Sequence, residues 1–199
     1  MNKKIVTIGS IINLSAVISF SISMFFSFDF GSYFSSMFIA FSFVVMMCGF
    51  AFYADKKKKI AGYVSAAFSS VYIAIILLVY FAQLTTVRTN SLTPQADELL
   101  NFQKMGLIFN YDLLGYALMA LSTFFAGLTI VPRRKSDKCL KALLMIHGVF
   151  FISCLIVPML GIFQANGPKW IGIALLEFWC LYFCQIGILS ALYFSKTNS

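Results

Sequence analysis

The sequence predicts an all-α protein, a polytopic transmembrane six-helix bundle with both termini in the cytoplasm. Three observations carry this reading. Of 199 residues, 60% are hydrophobic and 11% are charged, where a soluble domain carries about a quarter charged. The mean hydropathy is +0.89. Six apolar runs reach the roughly 20 residues that a helix needs to cross a bilayer core, and the basic residues gather in alternate connections between them.

The runs are 5–28, 34–54, 60–85, 112–131, 139–163 and 170–194. Lipid leaves no water to satisfy backbone groups, so such segments must be helical. Lys3 and Lys4 precede the first run, as in a secretory signal. That run is too long for the apolar core of a cleaved signal, about 7–15 residues, and reads as a first membrane helix. Asp55 and four lysines, Lys56 to Lys59, join the second run to the third. Arg133, Arg134, Lys135 and Lys138 join the fourth to the fifth, Lys141 follows, and Lys196 ends the sixth.

One side thus collects 12 of the 15 basic residues and the other three, Arg88, Lys104 and Lys169. The positive-inside rule places the basic side in the cytoplasm, and an even number of spans agrees with both termini being there. The net charge of +8 is a topology signal in this pattern, and nucleic acid is excluded as a partner. Five cysteines, none in a CxxC pair, give no disulfide framework.

Four connections are short and imply antiparallel hairpins. The long one, outside, spans about 86–111. In it Thr93 and Pro94, followed by Asp97 and Glu98, read as a capped helix start. A short interfacial helix is expected over 94–105. Pro158 predicts a kink in the fifth helix. Serines 15, 19 and 23, and Gly62, Ala66 and Ser70, are small residues at four-residue spacing that suit close helix packing. Asn13 and Gln185 read as interhelical hydrogen-bonding residues.

Ionisable residues inside a span cost about 2.5–3.5 kcal/mol each on insertion scales and are functional candidates. Glu177 lies in the outer part of the sixth run, Asp112 opens the fourth, and Arg88 follows the third with Gln83 just before it. Helical periodicity puts Gln83 on one face with Tyr72, Ser69 and Ser65, and Asp112 with Tyr116, Met119 and Thr123. The candidate ligand-binding set is Gln83, Arg88, Asp112, Tyr116 and Glu177, with Tyr80, Tyr116 and Trp179 as aromatic walls. The competing arrangement is an ion pair between Arg88 and Asp112. His147 shares a face with Cys154 and Pro158 and reads as an interhelical hydrogen-bonding residue. No metal site is indicated, and the residues leave any cofactor unknown. There is no HExxH, GxSxG, P-loop or CxxC motif, which argues against the common membrane enzymes.

Segments 80–88 (YFAQLTTVR) and 112–127 (DLLGYALMALSTFFAG) together resemble a group of uncharacterised bacterial six-span integral membrane proteins. The resemblance implies a bacterial cytoplasmic membrane and no known activity, and it contains Gln83, Arg88, Asp112 and Tyr116. In size and span count the chain is also similar to the substrate-binding subunits of energy-coupling-factor transporters, although the small-residue docking motif of their first helix has only Ser15 and Ser19 as a loose counterpart. Three functions remain open. The first is binding or transport of a small solute or ion through an outward-facing polar pocket. The second is a structural or regulatory subunit acting through helix contacts with a membrane protein or a second copy. The third is a lipid-modifying enzyme, with Glu177, His147 and Asp112 as its acid–base groups.

Overall fold

The computed structural model describes residues 1–161 and 169–196, with only the backbone described for Lys169 and Ile171. All regular structure among them is helical. The helices are α1 (Asn2–Phe25), α2 (Asp29–Tyr53), α3 (Lys59–Leu84), α4 (Pro94–Leu100), α5 (Leu107–Thr129), α6 (Lys135–His147), α7 (Phe150–Met159) and α8 (Lys169–Lys196). Short 3₁₀ turns sit at Lys56–Lys58, Val87–Thr89 and Phe102–Lys104. With α6 and α7 taken as one interrupted segment, six helices are long and apolar enough to cross a membrane.

These helices form a ring in the order α8, α1, α2, α3, α5 and α6–α7, and α6 closes it against α8. Its core is apolar, as in a water-soluble fold, but it also encloses hydroxyls and amides, and its outer surface is apolar too. Ser10, Asn13, Ser65, Ser69, Ser122 and Thr123 are fully buried, while Ile8, Phe38, Leu78, Ile152 and Leu181 face outward. Lipid accepts such a surface, whereas buried hydroxyls need partners inside the bundle. Most of those described find them in two ways. Ser10 and Ser36 donate to the carbonyls four residues back, Val6 and Ser32. Others join helices: Asn13 Nδ2 donates to the Ile39 carbonyl at 3.1 Å and to Ser42 Oγ at 3.0 Å. Ser65 and Ser122 each donate to the other's carbonyl at 2.8 Å, clamping α3 to α5. At Gly62 an added Cβ would stand 2.7 Å from Ala51 Cα, so that glycine sets the approach of α3 to α2.

Four elements differ from the sequence expectation. Helix α2 starts at Asp29, five residues before the expected 34. Helix α5 starts at Leu107, so Asp112 lies a turn and more inside it instead of opening it. The loop helix stops at Leu100, where Asn101 turns extended and its side chain accepts from Gln103 N. The fifth apolar run is interrupted at Gly148–Val149, and Pro158 falls in the last turn of α7. At the interruption the bonding tightens from i−4 to i−3: Gly148 N to Met145 O, Val149 N to Ile146 O and Phe151 N to Gly148 O. Gly148 also sits against α5, where a Cβ would come within 2.7 Å of Phe124 Cβ. The expected end of that run, at 163, lies outside the described residues.

Candidate functional site: a buried carboxylate among tyrosines

The clamp between Ser65 and Ser122 fixes the register of α3 against α5. It brings Tyr72, Tyr80 and Gln83 of α3 alongside Asp112 and Tyr116 of α5. Asp112 is 4% exposed and Tyr72 is 0% exposed. The Tyr80 hydroxyl lies in hydrogen-bonding reach of Asp112, Tyr116 and Ser36. The Tyr72 and Tyr116 rings are 6.1 Å apart. Two polar atoms of this cluster, Asp112 Oδ1 and the Tyr72 hydroxyl, are buried without a hydrogen-bond partner.

The cluster is roofed by the segment between α3 and α5. Thr93 caps α4 by accepting from Ala96 N, with Pro94 in the first turn. Gln83 holds the roof down: its Nε2 donates to the Leu100 carbonyl at 2.8 Å and its Oε1 accepts from Phe102 N at 3.0 Å. Phe102 then packs at 6.0 Å from Tyr80 and 5.9 Å from Tyr33, which itself stacks on Tyr80 at 5.6 Å. Lys104 pairs with Asp97 at 3.4 Å on the roof's outer face.

The five candidate residues therefore separate. Asp112 and Tyr116 meet in the cluster. Gln83 borders it, with its amide committed to the roof. Arg88 is exposed, its guanidinium 5.2 Å from the Phe30 ring, and it forms no ion pair with Asp112. Glu177 faces a different seam, between α8 and α1: its Oε2 accepts from Ser21 Oγ, and its Oε1 is buried without a partner. The sequence reading missed Ser21, Ser36 and Tyr33. Its available signal was the concentration of serines at 32, 35 and 36 in a lipid-length run.

Of the aromatic walls, Tyr116 meets Trp179 edge-on at 5.7 Å. The Trp179 Nε1 donates to His147 Nε2 at 3.0 Å. Indole nitrogen only donates, so His147 carries its proton on Nδ1 and donates to Thr123 Oγ1, 2.8 Å away. Thr123 passes its own proton to the Ala120 carbonyl. Both imidazole nitrogens are thus engaged, and the ring is an interhelical tie between α6, α5 and α8 at the foot of the α6–α7 interruption. The face it was expected to share with Cys154 and Pro158 spans the interruption at Gly148–Val149.

Two cavities among the described residues lie away from Asp112. One is a groove between α1 and α2 around Gly9, Phe38 and Ser42. The other is at the opposite end of the bundle from the roof, among the basic residues. Tyr72, Tyr80 and Tyr116 are the aromatic neighbours of Asp112.

Six helices of membrane-crossing length, with buried hydroxyls and amides and many large apolar side chains on the outer surface, make the chain a multi-pass membrane protein. Comparison with protein-family models, with curated proteins and with solved structures gives no match.

Proposed function

We propose that the chain is a six-span membrane protein with both termini in the cytoplasm that binds a small cation, a proton or a monovalent metal ion, at Asp112 and passes it across the membrane. The roof over 86–106 is then on the outer side, since the basic connections lie at the other end. The observation that carries the reading is the Asp112 carboxylate, buried in the bundle with one oxygen unpartnered and, among the described residues, no ion pair to a cationic side chain. An isolated buried carboxylate is so costly that it takes up a proton or a counter-cation. The Tyr72 hydroxyl, also unpartnered, offers a second oxygen from α3.

The lining favours an ion over a larger solute. The Tyr80 hydroxyl reaches Asp112 and the Tyr72 hydroxyl is buried without a partner, so the groups gathered at the carboxylate are oxygens of the kind a small cation takes. Access from outside requires the roof to lift, and Gln83 and Phe102 are its fastening. Opening and closing of such a segment is a common gating device. The enzyme reading is the weaker one, because His147 is tied to Trp179 and Thr123 while Glu177 turns to Ser21 on α1.

The test is ion flux in proteoliposomes. With an imposed proton or sodium gradient, the wild-type protein moves the ion. Asp112→Asn, which keeps the shape and removes the charge, abolishes flux while the protein still purifies as a folded species. Undiminished flux in Asp112→Asn would remove the basis of the proposal.

A further inference from the structure

At the basic end of the bundle, the last turns of α2, α5 and α8 and the first turn of α6 surround a cavity of about 240 Å³. Tyr53, Thr129 and Tyr193 contribute to its lining, with Arg133, Arg134 and Lys196. It is independent of the Asp112 cluster, which lies at the other end of α5.

The basic residues at this end divide into two kinds. Lys58 Nζ donates to the Ile130 carbonyl at 3.1 Å, and Lys59 Nζ donates to the carbonyls of Ala51 at 3.2 Å and Phe52 at 2.8 Å. These lysines satisfy the free carbonyls at the ends of α5 and α2, where the helix dipole favours a cation. Arg133, Arg134 and Lys196 make no ion pair: the salt bridges among the described residues are those of Lys104. Two carboxylates also line the cavity. Asp137 is buried, and its Oδ2 accepts the backbone N–H groups of Arg133 and Arg134, both at 3.0 Å. Asp137 therefore shapes the turn that presents the two arginines. Asp55 is exposed.

Three unpaired cations and neighbouring hydroxyls, gathered around a cavity at the end of membrane-length helices, match one ligand chemistry. We infer that the cavity binds the phosphate group of a phosphate ester. Guanidinium groups donate to phosphate in a two-pronged geometry. The volume exceeds several times the roughly 30 Å³ of one water, so it admits a phosphate and part of its ester arm. The ester has two sources, a phospholipid headgroup at this level of the bilayer or a soluble metabolite. Basic pockets between helix ends suit the former.

The experiment uses the full chain, purified in detergent and stripped of lipid, with native mass spectrometry as the readout. Phosphatidylglycerol is the lipid probe, phosphatidylcholine its charge-cancelled control, and glycerol phosphate the soluble probe. One phosphatidylglycerol binds per chain in preference to phosphatidylcholine, and the double variant R133Q/R134Q weakens it about tenfold, the loss expected for a charge-assisted contact. The double variant K56Q/K57Q removes the same charge at the same end but outside the cavity lining, and it leaves binding unchanged. Binding of glycerol phosphate with the same dependence on Arg133 and Arg134 would support the site and assign it to a soluble ester. Equal losses in the two double variants, or no binding of either probe, would overturn the inference. Should R133Q/R134Q fail to fold, Lys196→Gln, at the end of α8, repeats the test with a smaller expected loss.

Discussion

His147 shows how much one side chain settles in a lipid-solvated bundle. Its two nitrogens tie three helices, and the indole donor of Trp179 dictates the tautomer. Replacing it with phenylalanine keeps most of the volume but orphans the buried Trp179 N–H and removes the partner of Thr123. An unsatisfied buried donor costs about 1–3 kcal/mol. His147→Phe is expected to lower thermal stability in detergent, and Trp179→Phe added to it to cost little more, because the two share one bond. Full additivity of the two losses would show that the bond does no work. This role was legible as a hydrogen-bonding histidine, since a lone ionisable residue in a span must find partners. Its partners were not, because 24 and 32 residues separate it from Thr123 and Trp179.

At the scale of elements, the fifth apolar run carries the most instructive discrepancy. Proline is the familiar breaker, yet Pro158 sits in the final turn of α7, where the missing N–H and the ring disturb only one carbonyl. Gly148 coincides with the interruption because α6 and α7 lie so close to α5 there that a side chain would strike Phe124. The expected consequence is a reversal of the usual ranking. Gly148→Val should destabilise by about 2 kcal/mol through overpacking, whereas Pro158→Ala should change stability by less than about 0.5 kcal/mol. Thermal unfolding of the two purified variants checks this, and a larger loss for Pro158→Ala would contradict it. The start of the loop helix was readable from Thr93 and Pro94, because capping is local chemistry. The start of α5 was not: 107–111 (LIFNY) looks like the end of a loop until Phe109 packs against Phe102 at 5.2 Å.

For the whole molecule, all-helical structure and six apolar segments followed from hydropathy, because lipid permits little else. The inward stripes of α3 and α5 followed from helical periodicity, and Ser65, Ser69, Tyr72, Gln83, Asp112, Met119 and Thr123 are all buried. Which stripe meets which is a matter of packing order around the ring, and here sequence patterning has nothing to say. Glu177 and Asp112, both acidic and both near the same end, are drawn to different seams, and Arg88 stays outside on Phe30. The proposed orientation makes a direct prediction. In a variant with the five native cysteines replaced, a membrane-impermeant maleimide added to intact cells should label Ser91→Cys in the roof. It should label Lys57→Cys only after the membrane is opened. The opposite pattern would invert the topology.

The central claim is that the Asp112 carboxylate is where the ion binds. Infrared difference spectroscopy of the lipid-embedded protein measures this directly, with pH varied at constant sodium and sodium varied at constant pH. The account predicts a carboxyl signal that responds to one or both titrations and is missing from Asp112→Asn. A spectrum in which that signal is identical in wild type and Asp112→Asn, or in which neither titration perturbs a buried carboxyl, would contradict it.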